Sequence, residues 1–143
     1  DIINWAVKRN DPHNWSPFLG EMNELADIND FEFKDHLDKY KYSSRNTDLS
    51  KEDHRENGDF FLKQLNDILN DSPFLSADHQ TVTDIAIFPF IRQFAFVDKA
   101  YFEDRPYQSL QRWLDWHIES DAFKGIMHKY ERWEPAHDIV HFP

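Results

Sequence analysis

His137 and His141 stand four residues apart, a spacing that on a helix would aim both imidazoles at one metal ion. Glu134-Pro135 precedes them and Phe142-Pro143 follows, so the stretch lacks the makings of a stable helix. No third ligand is evident, and no metal site is assigned. His36 and His117 fall on expected helices and, as histidines, would titrate near neutral pH. Neither has a serine or other nucleophile in a recognisable arrangement, so both are read as packed or surface residues. The chain contains no cysteine, which excludes disulfides, thiolate zinc sites and a cysteine nucleophile. The acidic pairs Asp27/Asp30 and Asp53/Glu56 have the spacing of solvated helix faces and first-turn charges, not of an acid–base dyad. No catalytic residue emerges.

Binding is better represented. Arg92 and Gln93 interrupt an otherwise apolar helix, and charge there is costly unless the group is paired or faces a cavity. Either Arg92 forms a structural salt bridge, or one of the two residues faces a cleft. Tyr40-Lys41-Tyr42, with Arg45, offers phenols and cations of the kind that line ligand pockets. The alternative is a helix end that packs two Tyr rings over the core. Trp5 joins Tyr40, Tyr42, Arg92 and Gln93 as a candidate substrate-binding residue.

The element that must position these groups runs from Thr81 to Val97, TVTDIAIFPFIRQFAFV. Apolar residues on every side predict a helix surrounded by others. The run is shorter than the roughly 20 residues of a membrane span and carries a charge. Thr81-Val82-Thr83-Asp84 spells a capping box, in which the hydroxyl and the carboxylate each satisfy an orphan backbone N–H. Asp84 is therefore a structural residue. Pro89 should remove one backbone bond and bend the helix near Ile85.

Around it, Ile2 to Arg9 reads as a helix with a stripe of Ile2, Ile3, Ala6 and Val7, ended by Asp11-Pro12. Ser16-Pro17 supplies an N-cap and first position for a helix bearing Phe18, Met22, Leu25 and Ile28. Asn29-Asp30 is expected to interrupt, and Phe31 to Tyr40 to resume with Phe33 and Leu37 inward. A loop over 41–49 leads to a second box at Ser50–Asp53 and a helix to about Asn70, with Phe61, Leu62 and Leu65 inward. A linker over 71–80 reaches the central helix, and 98–105 is expected as a loop. Pro106 starts a helix carrying Leu110, Trp113, Leu114 and His117, and Ser120-Asp121 caps a last short one. The tail, 134–143, has no period. The expectation is an all-α domain over 1–133, a bundle around one central helix.

Composition agrees. A 143-residue chain suits one domain, and thirteen Phe with five Trp exclude disorder. Three glycines leave no glycine-rich phosphate loop. The net charge of −11 repels phosphate backbones and anionic lipid, so neither nucleic acid nor membrane is an expected partner. No secretory signal is visible, and a cytoplasmic location is expected. The chain opens on Asp1 instead of Met, which reads as a fragment or an excised domain.

A Thr-x-x-Asp box opening a buried helix, followed by a proline, resembles the sixth helix of glutathione transferase C-terminal domains. INWAVKRNDPHNW, FKDHLDKYKY, DIAIFPFIRQFA and SDAFKGIMHKYERW extend the likeness to bacterial glutathione-transferase-like proteins over most of residues 1–133. The resemblance implies a two-domain enzyme. An N-terminal thioredoxin-like domain would bind the co-substrate glutathione and activate its thiol, and the helical domain would hold a hydrophobic electrophile. Only the helical part is matched, so no catalytic residue is transferred and the chain alone is expected to be inactive. The resemblance places Arg92 or Gln93 toward the cleft of the missing domain and implies a homodimer. It also implies an apolar patch, open where that domain would sit, around Ile2, Trp5 and Phe88. The alternative is a non-catalytic module of the same fold used for protein–protein contacts.

Overall fold

A computed structural model describes residues 2–43, 49–127, 129, 132 and 134–135. Arg45, the His137/His141 pair and the boundary set at 133/134 lie outside the described residues. Among those described there is no strand. The helices are α1 (Ile2–Arg9), α2 (Leu19–Ile28), α3 (Lys34–Lys41), α4 (Lys51–Asp71), α5 (Val82–Ala95), α6 (Lys99–Glu103), α7 (Gln108–Glu119) and α8 (Asp121–Ile126). The expected all-α bundle is what forms, with α5 packed by α2, α3, α6 and α7 and α4 bridging α3 to α7.

Local signals explain several ends. Ser50 and Asp53 make their box: the Ser50 N–H donates to Asp53 Oδ2 at 3.0 Å, and the Asp53 N–H to Ser50 Oγ at 3.0 Å. The Ser120 hydroxyl caps α8 through the Phe123 N–H at 3.2 Å. Other ends differ from expectation. Ser16 is no N-cap but part of a single 3₁₀ turn, Ser16–Phe18, that feeds α2. Asp11 caps it instead, its carboxylate accepting from the N–H groups of Trp15 (2.6 Å) and Ser16 (2.9 Å). The stretch 98–105 is not all loop, because Asp98 accepts from the Tyr101 N–H at 3.0 Å and starts α6. Pro106 stands two residues ahead of α7, whose first residue is Gln108.

Asn29-Asp30 does not break the chain. The helix passes through it as one π turn, Asn29–Phe33, and continues into α3. A π turn widens the helix by one residue without ending it. The cause is tertiary: Phe33 is buried with its ring 5.1 Å from that of Phe61 and 5.5 Å from that of Phe94, and this packing overrides weak propensity. Gly58 on α4 faces the same cluster. A Cβ there would stand 2.6 Å from Phe94 Cε2, so only glycine lets α4 approach α5 this closely.

α5 is less enclosed than its sequence suggests. Ile85 and Phe96 are exposed, and Pro89 also lies on the open side. The carbonyl that Pro89 deprives of a partner is that of Ile85, which can therefore turn to water at little cost. The stripe on α1 narrows to buried Val7 and half-buried Ile3, since Ile2 and Ala6 are exposed. Phe88, expected in an open patch, is buried beneath His117 and Phe123, with ring centroids 5.0 Å from each.

The start of α5 holds the densest polar arrangement. Asp84, 0% exposed, is the third residue of the box with Thr81. Its Oδ2 accepts from the Thr81 N–H at 2.8 Å and the Thr81 hydroxyl at 3.0 Å. Its Oδ1 accepts from the Leu75 N–H at 3.0 Å and the Trp113 indole N–H at 2.9 Å. One carboxylate thus ties the linker, α5 and α7 together. A cap alone is worth about 0.5–2 kcal/mol. Asp84→Ala would also strand buried donors from two other segments, so its loss should cost at least about 3 kcal/mol. Chemical denaturation of Asp84→Ala beside the wild type checks this; a loss no larger than a simple cap would mean that the Leu75 and Trp113 bonds contribute nothing.

Candidate functional site

The five expected binding residues do not converge. Tyr40 ends α3 and is buried, its ring 5.1 Å from that of Phe94, while burial pushes its hydroxyl above the usual phenol range. It is a core residue. Tyr42 is partly exposed, and the Lys41 ammonium lies 5.1 Å from its ring centroid. Lys41 also donates to Gln93 Oε1 at 3.2 Å, which brings Tyr42, Lys41 and Gln93 together at the far end of α5. Arg92, about 100° round the helix, points elsewhere. It forms no salt bridge among the described residues; its guanidinium lies 4.9 Å from the Phe96 ring and 5.2 Å from that of Phe123. A cation held over aromatic faces explains how it tolerates this position.

Trp5 is separate again. It sits on α1, which packs through Val7 against Val82, with Ala86 beside them, near the start of α5. Gln93 lies about three turns beyond Val82 along that helix. Trp5 is 61% exposed and carries the Arg9 guanidinium 5.5 Å from its ring.

The histidines behave as packed residues. His117 Nδ1 donates to the Trp113 carbonyl at 2.8 Å, and the ring stacks on Phe88 at 24°. Phe74, Trp113 and Trp116 surround it. Burial lowers its pKa, against a smaller upward pull from the Trp113 bond and Asp84. His36 and His54 meet Nδ1 to Nδ1 at 3.1 Å, so one imidazole donates to the other. His54, fully buried on α4, had no local signal: its importance is set by its neighbour on α3. No group of three or more metal-ligating side chains occurs among the described residues.

α4 carries another buried polar residue that the sequence conceals. Asn66 Oδ1 accepts from the backbone N–H groups of Ser109 and Leu110, each at 3.2 Å, and so caps α7 from a different helix. The Ser109 hydroxyl donates to Asn70 Oδ1 at 2.8 Å. Nothing near position 108 in the sequence announces a cap supplied from position 66.

This helical arrangement has counterparts. Residues 50–115 match the family described as Glutathione S-transferase, C-terminal domain. The crystal structure of a glutathione S-transferase of class Gtt2 from Vibrio parahaemolyticus superposes with a TM-score of 0.66 and 19% identity. The match covers 86% of this chain and 63% of that one, so this chain spans less than two thirds of its structural relative. No curated protein matches the chain. Fold and family match together define an all-α domain of the glutathione transferase type. Residues 50–115 are similar to that family, and the fold is that of a glutathione S-transferase C-terminal domain.

Burial of neutral His117 makes stability depend on pH. The unfolded histidine takes up a proton as pH falls below its ordinary 6.5, whereas the folded one resists until lower pH. Its contribution is therefore complete above 6.5 and lost as pH falls toward the depressed folded value. His117→Phe keeps the stack and removes the titration. Its thermal midpoint should fall less than that of the wild type between about pH 7.5 and 5; equal falls would show that His117 titrates alike in both states.

Proposed function

We propose that this chain is the electrophile-binding helical half of an enzyme that conjugates glutathione to hydrophobic compounds. A thioredoxin-like domain outside these 143 residues would complete it. The observation that carries the reading is the open apolar face of α1, where Ile2 is 82% and Trp5 61% exposed. Lone domains seldom leave large apolar side chains grouped in this way, and contacts between domains of one chain cover on the order of 600–1,500 Å². The resemblance to glutathione transferases supports the partner and the co-substrate, and the lack of cysteine fits a cytoplasmic setting. No helix among the described residues is long and apolar enough to cross a membrane. In this reading the activation of the thiol belongs to the partner domain.

The test is a conjugation assay with an aryl-halide acceptor. The chain alone should show only the uncatalysed rate. The chain preceded by its thioredoxin-like domain should turn over, and Trp5→Ser should weaken that coupling. Turnover by the chain alone would overturn the division of labour, and an inactive two-domain protein would favour the interaction module.

A homodimer is part of the same reading. Phe31 (80% exposed) and Phe60 (74%) flank a pocket of about 490 Å³ beside the α3–α4 pair, away from α1. We assign the two-fold contact to this face, where the exposed Phe31 and Phe60 stand among polar side chains and one residue could meet its own copy. Sedimentation equilibrium should find a dimer that Phe60→Lys converts to monomer; a dimer indifferent to that change would place the contact elsewhere.

A further inference from the structure

The most unusual unassigned chemistry lies where α4 faces α6 and the start of α7. Arg55, Asp59, Lys63, Tyr101, Arg105 and Tyr107 line a pocket of about 400 Å³, within the usual range for small-molecule sites. The Tyr101 ring lies 3.9 Å from the guanidinium carbon of Arg55 and 4.4 Å from that of Arg105. Both guanidiniums thus lie within cation–π distance of one ring, which restrains them before any ligand arrives.

Neither fork is held by a close, buried carboxylate among the described residues. Lys34, Lys39, Lys63, Lys99 and Lys124 each have a carboxylate within 3.7 Å, most of them one helical turn away. Arg55 has none within salt-bridge distance among the described residues. Arg105 has only Asp104 at 3.7 Å, on a side chain 83% exposed and so of little electrostatic value. In a chain of net charge −11, carboxylates are plentiful, and two half-buried guanidiniums without a close one stand apart. The Nε atoms of both are buried with no acceptor.

The acidic groups facing the pocket are accounted for. Asp59 accepts the Tyr107 hydroxyl at 2.9 Å; burial raises its pKa against a downward pull from Arg105 and Arg55, so it offsets part of their charge. Its Oδ1 is buried without a partner, and Glu56 stands exposed at the rim. These carboxylates disfavour a highly charged ligand and leave room for one oxyanion group.

We propose that this pocket binds a small oxyanion, a carboxylate or phosphate group, on the paired guanidiniums of Arg55 and Arg105. Planar forks match both groups through parallel N–H···O bonds. The site does not depend on the electrophile-binding role, since it uses no residue of α1 and no thiol chemistry.

The test titrates inorganic phosphate, and separately succinate, into the isotope-labelled chain at constant ionic strength, followed by amide NMR. Saturable shifts confined to the segment from Tyr101 to Tyr107 and the facing turns of α4 are expected with at least one anion, and the tighter of the two names the class. Arg55→Gln should weaken binding about tenfold or more, as loss of a charge-assisted pair does. Arg105→Lys keeps the charge and loses the fork. It should weaken binding as well, and it decides the matter if Arg55→Gln fails to fold. Lys124→Gln, remote from the pocket, should change nothing. Shifts that are linear with anion, spread over unrelated surfaces, or unaltered in Arg105→Lys would overturn the proposal.

Discussion

A carboxylate buried without a cation has to be solvated by the protein itself, and that requirement organises this domain. Asp84 receives donors from its own helix start, from the linker at Leu75 and from the indole of Trp113. Charge-assisted bonds are short and strong in a low-dielectric interior, but only if every lone pair is met. The path of the linker, the entry of α5 and the angle of α7 are therefore coupled. Displacing any one of them leaves a charge short of donors in the core. A capping box is ordinarily a local device worth a helix end. Here its acid has been recruited as a three-way joint.

The helices themselves were largely legible, because their signals are local. Ser50 with Asp53, Thr81 with Asp84 and Ser120 all start helices where side chains three residues apart can reach backbone N–H groups. The period of Phe61, Leu62 and Leu65 announced the inner face of α4. What stayed hidden depends on partners distant in the chain. Asn66 is a polar residue on a long helix with no local mark, yet it serves α7; His54 likewise has no local signal, yet it is buried against His36. The expected break at Asn29-Asp30 failed for the same reason, since Phe33 finds Phe61 and Phe94 and holds the turn helical.

The binding residues were less legible still. Tyr40 and Tyr42 differ by two positions, which on a helix is nearly opposite faces, and one went to the core while the other stayed out. Arg92 and Gln93 diverged likewise. Composition flagged these residues as chemically able, but direction around a helix axis decides what a side chain can touch. The pairing of Arg55 with Arg105 shows the converse. Fifty positions separate them, and only the fold of α6 between them brings both onto one Tyr ring.

The cap that Asn66 lends to α7 makes the start of that helix depend on a distant one. The bonded pairs are 43 and 44 positions apart in sequence. The first turn of α7 has no side-chain cap of its own at Tyr107, so the N–H groups of Ser109 and Leu110 are met only where α4 is docked beside it. Closing so long a loop costs chain entropy that the docked bundle has to offset. α7 is in this sense a tenant of the bundle, held by a surface it does not itself supply. The indole that completes the Asp84 joint depends on the same docking.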